Sequence, residues 1–92
     1  MHNSEHPTLA SFVRVQKDRI TGESLLLGPE TALKLTESGA GILGLCDGAL
    51  SLAAIAERLA AEYDAPPDEI LADVRDFLER LTEKGFVQWG PA

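Results

Sequence analysis

Apolar and polar residues alternate through Phe12-Val13-Arg14-Val15-Gln16. With β-branched residues at every second position, this stretch predicts a strand with Val13 and Val15 on its inner face. Asp18 to Gly22 supplies a turn, and Glu23 to Leu27 returns antiparallel, with Leu25 and Leu27 on one side and Leu26 on the other. Pro29 cannot donate to a strand ladder, so the next strand begins only after the Gly28-Pro29 turn. It spans Thr31, Ala32, Leu33, Lys34 and Leu35, with Leu33 and Leu35 inward and Ala32 and Lys34 outward. Three meandering strands leave two edges, and the outer backbone groups of the third strand are open to a partner.

From Thr36 onward the period changes to that of helices. Thr36 is placed to cap a helix whose first turn holds Glu37, where the dipole favours an anion; Asp47-Gly48 closes that unit. Gly39, Gly41 and Gly44 each cost this helix about 0.5 to 1 kcal/mol relative to alanine, and close backbone packing is the usual compensation. Ser51 caps a second helix, with Leu52, Ile55, Ala56, Leu59 and Tyr63 at helical spacing. Ala65-Pro66-Pro67-Asp68-Glu69 starts a third. Its core stripe is Ile70, Val74, Phe77 and Leu81, flanked by Leu71, Arg75 and Leu78, and Lys84-Gly85 ends it. The apolar band is wider than the stripe alone requires. Leu71 and Leu78 either pack on a neighbouring element or form a groove wall facing the third strand, where an extended peptide could add by β-augmentation. Phe86 to Trp89 reads as a short terminal strand or an extended docking segment. Residues 1–8 read as a disordered tail and 9–90 as one domain. The fold class is α+β and winged-helix-like: a three-stranded antiparallel N-terminal sheet followed by three helices.

Charge narrows the function. The net charge is −7, yet residues 1–36 balance four acids with four bases, so the excess lies entirely in the helical half. A winged-helix DNA-binding domain is the alternative that the topology invites. Its recognition helix, from Asp68 to Lys84, would carry six acids against three bases and oppose the phosphate contacts on which DNA affinity rests. Anionic lipid headgroups are repelled likewise, and no apolar run is long enough to span a bilayer. With one cysteine and no secretory segment, the expectation is a soluble, cytoplasmic protein. His2 and His6 lie in the tail without the converging ligands a metal needs. Residues 39–44, Gly-Ala-Gly-Ile-Leu-Gly, lack the Gly-Lys-Ser/Thr ending of a P-loop and the register of a dinucleotide fold. Cys46 has no histidine outside the tail to activate it, and Asp47 beside Gly48 reads as a turn residue. Neither a catalytic constellation nor a cofactor site is expected.

The ordered series of short motifs resembles a known family. Leu26-Leu27-x-Pro29-Glu30, Leu35-Thr36, Ile42-Leu43, Cys46-Asp47-Gly48, Ser51-Leu52-x-x-Ile55, Leu59 to Tyr63 and Asp73-Val74-x-x-Phe77-Leu78-x-x-Leu81 are similar to PqqD proteins of pyrroloquinoline quinone biosynthesis. The match runs from about Val13 to Val87. The resemblance implies a peptide chaperone of the RiPP recognition element type. Such a protein holds the leader of a ribosomally made, PqqA-like precursor and presents it to a PqqE-like radical SAM enzyme for Glu–Tyr crosslinking. By position, the peptide-binding residues it implies are Thr31, Ala32, Leu33, Lys34 and Leu35 on the strand, and Leu71, Val74, Arg75 and Leu78 on the third helix. Asp73-Val74 and Phe77-Leu78 belong to the motif itself; Leu71 and Arg75 do not. The Gly28-Pro29 and Asp47-Gly48 hinges permit either a monomer or a domain-swapped dimer.

Overall fold

A computed structural model describes residues 4–91 of the chain. Along it run β1 (His6–Leu9), β2 (Arg14–Lys17), β3 (Ser24–Leu27), β4 (Ala32–Leu35), α1 (Glu37–Gly44), α2 (Leu52–Tyr63), α3 (Pro67–Glu83) and β5 (Val87–Gly90). The strands form two antiparallel sheets, β2-β3-β4 and β1-β5. In the larger sheet Val15, Leu26 and Leu33 lie opposite one another, as do Gln16, Leu25 and Lys34. This α+β, winged-helix-like arrangement is the predicted class, with a second small sheet added.

The helix ends follow local chemistry. Thr36 Oγ1 accepts from Gly39 N at 3.0 Å and Ser51 Oγ from Ala54 N at 3.1 Å, each satisfying an otherwise orphaned amide. Proline stands in the first turn of α3 with Asp68 and Glu69 beside it. Helix α1 is shorter than the spacing suggests, ending at Gly44 with Leu45 as its cap. Asp47 is exposed and bridges to Thr8, while its Oδ1 accepts from Ala49 N at 2.9 Å in a turn. Gly39 supplies the close approach expected of the glycines in α1. A Cβ there would lie 3.3 Å from Phe77 Cζ, so α3 presses directly on the α1 backbone.

One core joins the layers. Val13 and Leu26 from the sheet side meet Leu43, Leu52, Ile55, Leu59, Val74, Leu78 and Leu81 from the helices, with Phe86 and Val87 beyond. Helix α1 packs on β2, β3 and β4, α2 on α3, and α3 on β5.

Three expectations are corrected. The tail of residues 1–8 is in part structured: His6–Leu9 pairs with β5, Glu5 O accepts from Leu52 N at 2.9 Å and Pro7 O from Gly48 N at 3.1 Å. His6, read as a tail residue, donates from Nδ1 to Gly48 O at 2.9 Å. His2 lies outside the described residues. Val15 has the predicted facing but remains 36% exposed, because at the edge strand β2 nothing covers it as Val13 is covered. On α3, Val74, Leu78 and Leu81 are buried, whereas Ile70 and Phe77 of the predicted stripe are only half-buried.

Candidate functional site

The β3–β4 turn sets which backbone groups of β4 are free. Gly28 N donates to Thr31 O at 2.8 Å, so Gly28 and Thr31 form a hydrogen-bonded pair. Antiparallel ladders alternate bonded and non-bonded pairs. In the observed register, Leu26↔Leu33 and Ser24↔Leu35 are therefore bonded pairs, and Leu27↔Ala32 and Leu25↔Lys34 are not. The N–H and C=O of Ala32 and Lys34 consequently point away from β3. Since β4 is the last strand of its sheet, those groups face the open edge and can pair with an added strand.

The side chains of β4 are divided in the other direction. Leu33 and Leu35 are half-buried against the core that holds Val74, Leu78 and Leu81, whereas Ala32 and Lys34 are exposed. Lys34 Nζ lies 3.7 Å from Glu23 Oε2, an exposed pair of small energetic value. Thr31 is half-buried at the turn. All five predicted strand residues thus sit on one short edge, fixed from beneath by two leucines.

The four predicted residues of α3 separate into two pairs. Leu78 is completely buried and Val74 is 2% exposed, so both are core. Leu71 and Arg75 are half-buried and keep accessible area, with Leu71 packed against the same core as Leu33 and Leu35. Sequence reasoning passed over Phe77 as a site residue. It is half-buried, packs against that core and touches Gly39 at the β4–α1 junction, so it stands at one end of the space between strand and helix. The motif pair Phe77-Leu78 carried the signal, but the deeper member was taken for the outer one.

Ionisable chemistry is sparse. Burial, and after it the neighbouring Asp47 carboxylate, pushes the Cys46 thiol up to about 12, and its Sγ donates to Ile42 O at 3.3 Å. A thiol so held is a core donor rather than a nucleophile. The hydrogen bond from exposed Arg80 to Asp76 at 2.6 Å, and then the charge of that carboxylate, push the guanidinium's value up from its ordinary one. Among the described residues no cluster of three or more His, Cys, Asp or Glu could hold a metal ion.

Fold and edge together define a winged-helix-like domain in which an open strand and a long amphipathic helix pack on one core. Residues 23–87 match the family model of coenzyme PQQ synthesis protein D, and the chain belongs to the PqqD family. The PqqA binding protein of Rhodopseudomonas palustris is 41% identical over 81 residues, covering 88% of this chain and 79% of that one. The solution structure of the PqqD portion of Methylobacterium extorquens PqqCD, described as a functional, stand-alone RiPP recognition element, aligns with a TM-score of 0.82. It is 32% identical, with 95% of this chain and 93% of that one covered. TbiB1 in complex with the TbiA(beta) leader peptide aligns at a TM-score of 0.75 and 26% identity, covering 92% and 98%.

Proposed function

We propose that this chain is a peptide chaperone that captures the leader of a PqqA-like ribosomal precursor on the outer edge of β4, alongside α3, and presents the precursor to a PqqE-like radical SAM enzyme. The observation that carries the reading is the outward backbone of Ala32 and Lys34 on a strand whose neighbouring leucines are anchored in the core. An added strand finds hydrogen-bond partners there without disturbing the fold, and Leu71 and Arg75 offer it partly accessible side chains. The relatives named as PqqA binding proteins support the ligand class, and the TbiB1 complex supports a leader peptide as the bound form. The chain needs no catalytic group for this role, since the crosslinking chemistry belongs to the enzyme it serves. Its place of work is the cytoplasm, where a ribosomal precursor is made.

Ala32→Pro removes one outward donor from the edge and no bond to β3. The variant is expected to melt close to the wild type and to bind a synthetic PqqA leader at least about tenfold more weakly, a loss of about 1.4 kcal/mol. Calorimetric titration beside thermal melts reads both quantities. Unchanged leader affinity in a folded Ala32→Pro protein sinks the edge as the binding site.

A further inference from the structure

The three-stranded sheet has a second open edge. Its strand order is β2-β3-β4, so β2 has a single neighbour and stands at the end away from the strand assigned to the leader. Asp18 N donates to Glu23 O at 2.7 Å, which makes Asp18 and Glu23 a hydrogen-bonded pair where the hairpin turns. By the alternation of antiparallel ladders, Gln16↔Leu25 and Arg14↔Leu27 are then bonded pairs, and Lys17↔Ser24 and Val15↔Leu26 are not. The N–H and C=O of Val15 and Lys17 therefore point outward, as those of Ala32 and Lys34 do on β4.

The two edges differ in what surrounds them. Leu33 and Leu35 seat β4 on the core, whereas all four residues of β2 are exposed. Val15 faces the core side, opposite buried Leu26, yet keeps 36% of its surface because nothing lies beyond it. With Phe12 at 54% and Ile20 at 95%, this hairpin holds three of the four exposed large apolar side chains among the described residues, so it is the least covered part of the fold. Charge sets it apart as well. Residues 12–22 carry Arg14, Lys17 and Arg19 against Asp18, a net +2 in a chain of −7, and the Asp18 carboxylate is turned onto the hairpin's own amides, accepting from Ile20 N at 2.8 Å. None of the three bases is ion-paired among the described residues. Cations on an edge keep neutral and basic strands from pairing with it; they attract an acidic one.

We propose that the β2 edge takes an acidic, extended segment of the radical SAM enzyme, added as a further strand while the leader occupies β4. The inference rests on the peptide-chaperone reading: a protein that presents its cargo needs a surface for the enzyme that the cargo leaves free. The outer edges of β2 and β4 lie on opposite sides of the sheet, with the two strands about 10 Å apart, so both can be filled at once. An aliphatic side chain opposite Val15 completes the layer over the core, and carboxylates opposite Lys17 and Arg14 meet the unpaired cations. In an antiparallel addition those carboxylates stand two residues before and one residue after the aliphatic one. The segment therefore reads acid-x-aliphatic-acid.

Amide hydrogen exchange on the full chain tests this, with a synthetic PqqA leader and the purified PqqE-like enzyme of the same organism added separately and together. The enzyme is expected to slow exchange at Val15 and Lys17, the leader at Ala32 and Lys34, and the two together at all four. An Arg14→Glu/Lys17→Glu variant, altered only at exposed positions, is expected to melt close to the wild type and to keep its leader affinity. It should bind the enzyme at least about tenfold more weakly, and added salt should weaken its enzyme binding less than that of the wild type. A leader that leaves Ala32 and Lys34 unprotected would count against β4 as the leader's edge, while enzyme protection at Val15 and Lys17 would still support β2 as the enzyme's. The proposal is overturned if the enzyme does not bind the wild type, if it binds and leaves Val15 and Lys17 unprotected, if the leader protects those two amides instead, or if the folded double variant binds the enzyme as tightly as the wild type.

Discussion

Leu78 and Leu71 are one helical heptad apart on α3, and the core reaches them unequally. Leu78 is sealed among residues from both layers, while Leu71 keeps part of its surface in water. Leu78→Ala is therefore expected to cost about 2 to 5 kcal/mol, which thermal melts will show as a drop of at least about 8 °C. Leu71→Asp is expected to leave a folded domain with weakened leader binding, and an unfolded Leu71→Asp protein would place that leucine in the core as well. The adjacent stripes on α3 were legible from spacing, but their depth was not: at about 100° per residue they overlap, and α3 is covered by α2 on one side and β5 on another. Cys46 was read correctly as a buried thiol. Its folded value of about 12 exceeds the ordinary 9.0, so between those limits the unfolded chain releases a proton that the folded chain keeps. The stability associated with this burial is complete below pH 9 and is lost as pH rises toward 12. Melts of the wild type and Cys46→Ala through that window should converge as pH increases, and thiol labelling at neutral pH should proceed only at the rate of unfolding.

Among the elements, the helix starts were the most legible and β1 the least. Thr36, Ser51 and Pro66-Pro67 announce their helices through side-chain oxygens and a fixed φ, chemistry confined to a few neighbouring residues. β1 has no such signature, because it is held by pairing with β5 some eighty residues away and by a backbone bond from Gly48 N to Pro7 O. Only Pro7 in it is fully buried. Deleting residues 1–9 is expected to remove about 2 kcal/mol of stability, a fall in Tm of roughly 8 to 16 °C, while leader affinity in the folded fraction stays intact. A melt unchanged by the deletion would mean that β5 holds its place without β1. Trp89 follows the same logic. Its Nε1 donates to Thr82 Oγ1 at 2.9 Å, and that hydroxyl donates to Leu78 O at 2.7 Å, a chain of bonds that ties β5 to α3.

For the molecule as a whole, charge separates this domain from the DNA-binding proteins its topology resembles. The acidic third helix is expected to prevent retardation of duplex DNA in a mobility-shift assay even at about 50 mM salt, where phosphate contacts are strongest. A clear shift would instead favour the transcription-factor reading. The sequence by itself determined the fold class, the order of the larger sheet's strands and the three helices, the acidic half and the family, because period, capping, turn residues and net charge are properties of neighbouring residues and of sums. It also placed Thr31 to Leu35 on a sheet edge, since Pro29 and the meander leave little other choice. Tertiary structure alone decided which backbone groups of β4 face outward, that Leu78 is core while Leu71 and Arg75 remain accessible, and that His6 to Leu9 is a strand. Each of these depends on which distant surface covers a residue, and burial by a distant surface leaves no local pattern to read.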